Sequence, residues 1–435
     1  MAASKVPDWI NAEIFEDVLK STVPGYSKVK TFKADSGSAA GENYATIMLR
    51  VNIEVELEGN IPCRWSGEFP PFQTYLFSDG KAKDVSYMVK LPHQLAFYQE
   101  MMKKTNIFDT ERLMYNDVVP EMEALYKAVG VDLIFGARSY DFKGAKSDYV
   151  LLEDLSLKGF KNANRLEGLD QTHTERVLKK LAQWHAASAV RVATKGSYPE
   201  MLTMGFFKEE SKPMMTEMIN GMMARFLKVC VTFEGHEEWI EQIKALIPAS
   251  IDEMYKMAKI DPQEFNVLNH GDSWSNNIMF QYDAFGTIKE VYLVDYQIPK
   301  YGTVAQDLLY FLLSSTRLED KLSKFDYYIK FYHDSLIENL KILKYTKPLP
   351  TLRSIHLALL KYGVFGYSVV TGVMSGVLLD PTENASLENF VGDSAAGEAF
   401  QLQLYTNPRY RKHIQAILPW LLNRGALEIS APTSQ

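Results

Sequence analysis

The sequence predicts an α+β protein, with a small β-rich N-terminal part and a larger, mostly helical C-terminal part. Three observations carry this expectation. Between residues 29 and 155 the chain holds short apolar or alternating runs: VKTF (29–32), YATIMLRVNIEVEL (44–57), VSYMVKL (85–91) and DYVLLEDL (148–155). Such runs, bounded by turn residues, read as strands. From 170 to 260 and again from 305 to about 424 the texture is helical, as in TERVLKKLAQWHAASAVRV. Between those helical tracts lies a short β region, VLNHGDSWSNNIMF (267–280) and IKEVYLVDYQ (288–297), in which apolar runs flank a polar turn.

In chain order, the first ~20 residues read as a capped helix, with Pro7-Asp8 followed by Trp9, Ile10, Ile14, Phe15 and Leu19 at helical spacing. ADSGSAAGEN (34–43) is a small-residue, turn-rich loop between two strands. After VSYMVKL, a helix carries Phe108, Leu113, Tyr115, Val118, Val119 and Met122. DYVLLEDL is a buried strand running into an acidic turn. The final EISAPTSQ is expected to fray. No internal repeat or low-complexity tract interrupts this order.

Composition narrows the function classes. A chain of 435 residues with 46% hydrophobic content can bury two or three structural units. The formal net charge is -7 and no Lys/Arg run is present, so no nucleic-acid partner is expected. Cys63 and Cys230 are the only cysteines. Together with an N-terminus that lacks a long apolar stretch, they point to a reducing, cytoplasmic location. Residues 362–379, YGVFGYSVVTGVMSGVLL, carry no charge and contain Gly372-x-x-x-Gly376. Their hydroxyls and glycines make them weakly apolar for a bilayer at the minimum spanning length, so a buried helix, not a membrane span, is expected.

The polar turn is where chemistry concentrates. Asp272 and Asn277 lie five apart across it, and Asp295 leaves the end of the apolar run VYLV. Two carboxylates and an amide oxygen form a hard-oxygen set suited to Mg²⁺, which keeps waters and phosphate oxygens as its other ligands. Asn277 and Asp295 suffice as protein ligands, leaving Asp272 to accept a proton from a substrate hydroxyl during phosphate transfer.

H-G-D-x-x-x-x-N followed by a strand-end Asp resembles the catalytic loop of the aminoglycoside phosphotransferase and choline kinase group, within the protein-kinase-like fold. The longer H-G-D-x-W-x-N-N-x-x-F is similar to the signature of the ecdysteroid kinase-like family, also called CHK kinase-like. PDWINAEIF, GENYAT, SYMVKLP, FDTERLMYNDVVPEM and LLEDL resemble that family in the expected order, over nearly the whole chain. The resemblance implies a bilobal kinase-like fold: a nucleotide-binding lobe over 1–152, a catalytic and acceptor-binding lobe over 153–424, and a frayed tail over 425–435. It implies ATP and Mg²⁺ as cofactors.

Roles follow from the resemblance residue by residue. Lys90 corresponds to the lysine that contacts the α/β phosphates, and Glu111 to its ion-pair partner, though Glu121 and Glu123 stand nearby. Gly37 and Gly41 belong to a poor glycine-rich loop whose backbone would cover phosphates. Glu153, Asp154 and Leu155 correspond to the hinge, where adenine meets backbone and side-chain identity matters little. His270 holds the loop through backbone hydrogen bonds, Asp307 anchors it from a helix, and His185 and Trp274 are structural. Asn276 has no role beyond packing. Where protein kinases carry Asp-Phe-Gly this chain has Asp295-Tyr296-Gln297, and the short interval to Asp307 leaves no room for a long activation segment.

The resemblance implies a small-molecule alcohol as the acceptor. MLTMGFFKEESKPMMTEMINGMMARF (201–226) is rich in Met and Phe, compatible either with a wall for a flat apolar alcohol such as an ecdysteroid or with a Met-filled core. A choline- or ethanolamine-type kinase, which would want an aromatic and carboxylate cage, and a catalytically silent ligand-binding relative are the alternatives.

Overall fold

The structure, a computed structural model, describes residues 6–37, 46–58, 82–93, 105–205, 207–392 and 394–429. The expected glycine-rich segment around Gly41 and the tail over 430–435 lie outside them.

The first helix starts later than Pro7-Asp8. Asn11 is its cap, its side chain accepting from Glu13 N and Ile14 N, and a 3-10 turn (Ala12–Phe15) leads into α1 (Glu16–Thr22). Asn is a strong N-cap because its side-chain oxygen satisfies free amide groups of the first turn. Five antiparallel strands follow in the order β1-β2-β3-β5-β4: β1 (Tyr26–Ser36), β2 (Thr46–Leu57), β3 (Ala82–Pro92), β4 (Ser139–Tyr140) and β5 (Val150–Glu153). Alternation along β2 sends Ile47, Leu49, Val51, Ile53 and Val55 into a small core with Phe15 of the 3-10 turn and Val18 and Leu19 of α1. The opposite face carries Met48 and Arg50, and the register pairs them with Lys90 and Met88 of β3.

Between β3 and β4 run α2 (Ile107–Leu113) and α3 (Val119–Lys127), joined by a π-turn over Met114–Val118. The widened turn precedes Pro120, which has no amide hydrogen to give to the helix. Phe108, Met114, Tyr115, Val118, Val119 and Met122 enter the main core.

The C-terminal part is organised around α4 (Gln171–Lys195), α5 (Glu200–Met204), α6 (Lys212–Cys230) and α7 (Ile240–Ala258). Beside them lie a three-stranded sheet of β6 (Phe160–Lys161), β8 (Ile278–Tyr282) and β9 (Ile288–Leu293), and a two-stranded one of β7 (Asn266–Asn269) and β10 (Lys300–Thr303). Helix α8 (Ala305–Ser315) is buried over its whole length. It is followed by α9 (Leu318–Ser323), α10 (Phe325–Ile342), α11 (Leu352–Lys361), α12 (Gly363–Thr371), α13 (Val373–Val377), α14 (Leu387–Val391), α15 (Ala395–Thr406) and α16 (Pro408–Asn423).

The uncharged 362–379 stretch is broken at Gly372 and buried, and it bends 59° from α11. Among the described residues no single helix is long and apolar enough to cross a membrane. Past α16, Ala426 and Leu427 are buried, and Ala426 fits where Gly363 has no side chain: a Cβ there would lie 2.1 Å from the Ala426 carbonyl oxygen.

Candidate functional site

Lys90, Glu111, Asp272, Asn277 and Asp295 converge on the cleft between the five-stranded sheet and the helical part. Lys90 comes from the cleft-facing side of β3 and is 4% exposed. Its Nζ donates to Glu111 Oε2 at 2.7 Å, Asp295 Oδ1 at 2.5 Å and Gln297 Oε1 at 3.1 Å. All three ammonium donors therefore have partners. Burial alone would lower the Lys90 pKa, but the Asp295 and Glu111 carboxylates outweigh it and raise it. Glu121 and Glu123, its sequence neighbours, are engaged elsewhere, with Lys195 and with the Phe135 amide.

Asp295 sits just past β9 with φ +67°, left-handed for a non-glycine residue. Such backbone persists only where surroundings enforce it, and it clusters at functional sites. Here Tyr115 accepts a hydrogen bond from the Asp295 amide at 3.1 Å, and the Tyr115 ring packs edge-on to Tyr296.

The HGD turn is held from several sides. Asp307 on α8 accepts from His270 N at 2.7 Å and Gly271 N at 3.0 Å, and its Oδ2 lies 3.1 Å from His185 Nε2. His185 Nδ1 in turn meets Tyr332 Oη at 2.7 Å. Although burial pushes the Asp307 carboxyl up, His185 and the surrounding donors hold it below the ordinary range. His270 Nε2 lies 3.0 Å from the Val294 carbonyl, so the histidine ties the turn to the end of β9. Gly271 has φ +83°, and a Cβ there would fall 2.0 Å from Ile298 O.

Asp272 lies half-buried on the cleft floor. Tyr310 donates to its Oδ1 at 2.5 Å, and Asn277 Nδ2 donates to its Oδ2 and its carbonyl, each at 2.9 Å. Burial and then the nearby Asp295 carboxylate raise its pKa, against the pull of the Tyr310 and Asn277 donors. Asn277 thus spends its amide nitrogen on Asp272, which leaves its oxygen as the acceptor end. Asn276 offers its carbonyl to Asn162 Nδ2 at 2.7 Å, a contact that holds the turn, and Trp274 packs against the main core.

At the end of β5, Glu153 pairs with Tyr87 of β3, and Leu155 is buried. The Asp154 side chain departs from the expectation that its identity matters little. Its Oδ2 accepts from Arg50 Nε and Ser86 Oγ, each at 2.8 Å, and its Oδ1 accepts from Ser156 N at 3.0 Å. Gly37, at the end of β1, donates its amide to Met48 O at 2.8 Å, and a Cβ there would approach Met88 Cε to 2.7 Å. Gly41 cannot be placed beside it, since it lies outside the described residues.

Tyr310 and Arg50 escaped the sequence reading, and Tyr115 and Gln297 were named there without their contacts to the Asp295 amide and to Lys90. Tyr310 had one local signal, its position three residues after Asp307, which puts both on one helix face. Gln297 stands where protein kinases carry glycine, and its Lys90 contact gives that departure a physical meaning.

This fold and this cleft define a small-molecule phosphotransferase of the protein-kinase-like class. The chain belongs to the ecdysteroid kinase-like family, whose model matches residues 40–345, more than two thirds of the sequence. Among solved structures, similar ones include a candidate aminoglycoside phosphotransferase from Ralstonia eutropha, with 13% identity and TM-score 0.41, covering 92% of this chain and 98% of that one. Another is the macrolide 2'-phosphotransferase of Brachybacterium faecium, with 11% identity and TM-score 0.34, covering 91% of this chain and 98% of that one. A third is an aminoglycoside phosphotransferase in ternary complex with ADP and hygromycin B, with 10% identity and TM-score 0.33, covering 91% of this chain and 99% of that one. No curated protein matches the sequence.

Proposed function

We propose that the chain is an ATP- and Mg²⁺-dependent kinase that phosphorylates a hydroxyl of an apolar small molecule, an ecdysteroid or another hydroxylated apolar compound. The observation that carries this reading is the convergence of a buried Lys90–Glu111 pair with Asp272, Asn277 and Asp295 on one cleft. In this reading Lys90 leaves Asp295 and binds the nucleotide's α/β phosphates while Glu111 keeps its ammonium aimed at the cleft. Asp272 accepts the proton of the acceptor hydroxyl as the new O–P bond forms and ADP departs.

The residues fit a magnesium ion. Asn277 has an amide oxygen left over from its Asp272 contacts. Asp295 has only Oδ1 in contact with Lys90 and is 30% exposed toward the cleft. Two protein ligands suffice for an ion that takes most of its ligands from phosphate and water. When bound, the ion neutralises phosphate charge.

Support for an apolar acceptor comes from the Met-rich stretch, which divides. Met222, Met223 and Phe226 fill the core, while Met204 and Met214 are more than a third exposed. Met201 and Gly205 line a shallow crevice with Thr105, Asn106, Lys208 and Gln297, so one methionine of the stretch shares a surface with Gln297, which receives Lys90.

A screen of hydroxylated metabolites with purified protein and ATP, read by product mass shift, tests the acceptor class. Asp272→Asn is expected to keep ATP binding and lower turnover on the order of 10²-fold or more. Asp295→Ala is expected to abolish Mg²⁺-dependent nucleotide binding, and unchanged affinity in a Mg²⁺ titration would remove the metal assignment.

A further inference from the structure

We propose that Tyr310 is a positioning residue for the transfer: its phenol fixes the Asp272 carboxylate in the orientation from which that group meets the acceptor hydroxyl. The inference rests on the reading of Asp272 as the proton acceptor.

The geometry is built for this. Tyr310 is 8% exposed, and its hydroxyl donates to Asp272 Oδ1 at 2.5 Å. The other oxygen, Oδ2, takes the Asn277 amide at 2.9 Å. An ionised carboxylate offers about four lone-pair sites over its two oxygens. Two donors, one on each oxygen, fix its rotation and still leave sites for a hydroxyl. With either donor gone, the group turns about its Cβ–Cγ bond.

Tyr310 is itself held. It lies one turn after Asp307 on α8, so a single helix face grips the His270 and Gly271 amides through Asp307 and the Asp272 side chain through Tyr310. Phe365 of α12 lies beside its ring, at 6.5 Å between centroids. Gly366 lets α12 approach α8 closely: a Cβ there would lie 3.1 Å from Leu313 Cδ1. The phenol therefore has a rigid mount. A tyrosine placed merely to satisfy buried polar atoms would affect stability when changed, but not the chemical step.

The test uses the whole chain and Tyr310→Phe, which keeps the ring and removes only the hydroxyl. Steady-state ADP release is measured with Mg-ATP in water alone and with ecdysone as a probe acceptor, beside wild type and Asp272→Asn. Thermal unfolding and ATP titration confirm that each variant is folded. The expected result is a kcat roughly 10- to 100-fold lower for Tyr310→Phe, with KM for ATP within about twofold, since a misoriented base slows the chemical step and spares nucleotide binding. Unchanged kcat in Tyr310→Phe, alongside loss of turnover in Asp272→Asn, overturns the positioning role and leaves the proposed function intact. A raised KM at constant kcat overturns it too, because that pattern reports lost ground-state binding and not a slowed chemical step. Undiminished turnover in Asp272→Asn removes the base assignment and this inference with it.

Discussion

Lys90 of β3 and Glu111 of α2 form a buried ion pair, 2.7 Å from Nζ to Oε2, with both side chains under 5% exposed. Burial of both charges makes each dependent on the other. Removing one partner of such a pair typically destabilises by about 3–5 kcal/mol. Asp295 and Gln297 also receive Lys90, so the loss here should fall below that range. Glu111→Gln keeps the shape and removes the charge. Lys90 should then rest on Asp295, out of position for phosphate. The expected outcome is a lower Tm together with an ATP affinity reduced by on the order of 10-fold, about 1.4 kcal/mol. Unfolding scans and nucleotide titration measure both. Wild-type affinity would mean that Lys90 does not depend on Glu111 for its aim.

Gly271 carries a second prediction. Its φ is +83°, and the Ile298 carbonyl oxygen occupies the space a side chain would need, 2.0 Å from an ideal Cβ. Gly271→Ala must therefore move either the turn or the segment leading to β10. Strained left-handed backbone for alanine costs about 1–2 kcal/mol before the clash is counted. The variant should lose activity more than stability, because the displaced atoms are the neighbours of Asp272. Near-normal turnover in a folded Gly271→Ala protein would refute that placement of the turn.

What was readable in advance follows physical locality. Alternation in β2 and β3 and helical spacing in 171–195 are local patterns, and the strands and helix form there. Glu111 came from the family resemblance, and its helical spacing from Phe108, Tyr115 and Val119 agrees with its burial beside them. Contacts set by tertiary packing had no comparable signal. Arg50 and Asp154 meet across 104 positions of sequence, and Tyr310 and Asp272 across 38. Periodicity within either segment could not pair them. The start at Asn11 was misplaced for a simpler reason. Pro7-Asp8 and Asn11 both resemble helix starts, and only the hydrogen bonds from Glu13 and Ile14 distinguish them.

The Arg50–Asp154 contact predicts a pH dependence. Burial pushes the Asp154 carboxyl up, but hydrogen bonds from Ser156 and Ser86 and the charge of Arg50 bring it below its ordinary value of 3.8. A carboxyl depressed in the folded state stabilises the fold above its unfolded pKa and loses that contribution as pH falls through the folded one. Asp154→Asn should therefore be less stable than wild type at pH 7. The gap should close as the pH falls below the ordinary carboxyl value of 3.8. Urea unfolding across that range measures it, and a gap independent of pH would show that the charge at Asp154 contributes nothing.

Lys321 carries the opposite kind of prediction. Its side chain is fully buried between α8, α13 and α16, donating to the Leu313 carbonyl, with Met374 Sδ at 3.8 Å and His413 Nδ1 at 3.4 Å. Among the described residues no carboxylate forms an ion pair with it. Burial lowers its pKa from 10.5 to about 7. Between those two values the unfolded chain binds more protons than the folded one, so wild-type stability gains from this lysine as pH rises from about 7 toward 10.5. Below about 7 the ammonium is charged in both states, and the penalty stays at its maximum. Lys321→Met keeps an unbranched apolar chain and removes the titration, at the expense of one hydrogen bond to Leu313 worth about 1 kcal/mol. The variant's Tm relative to wild type should thus be highest at or below pH 7 and should fall steadily toward pH 10. A difference that stays flat between pH 7 and 10 would mean that Lys321 keeps its ordinary proton affinity inside the core.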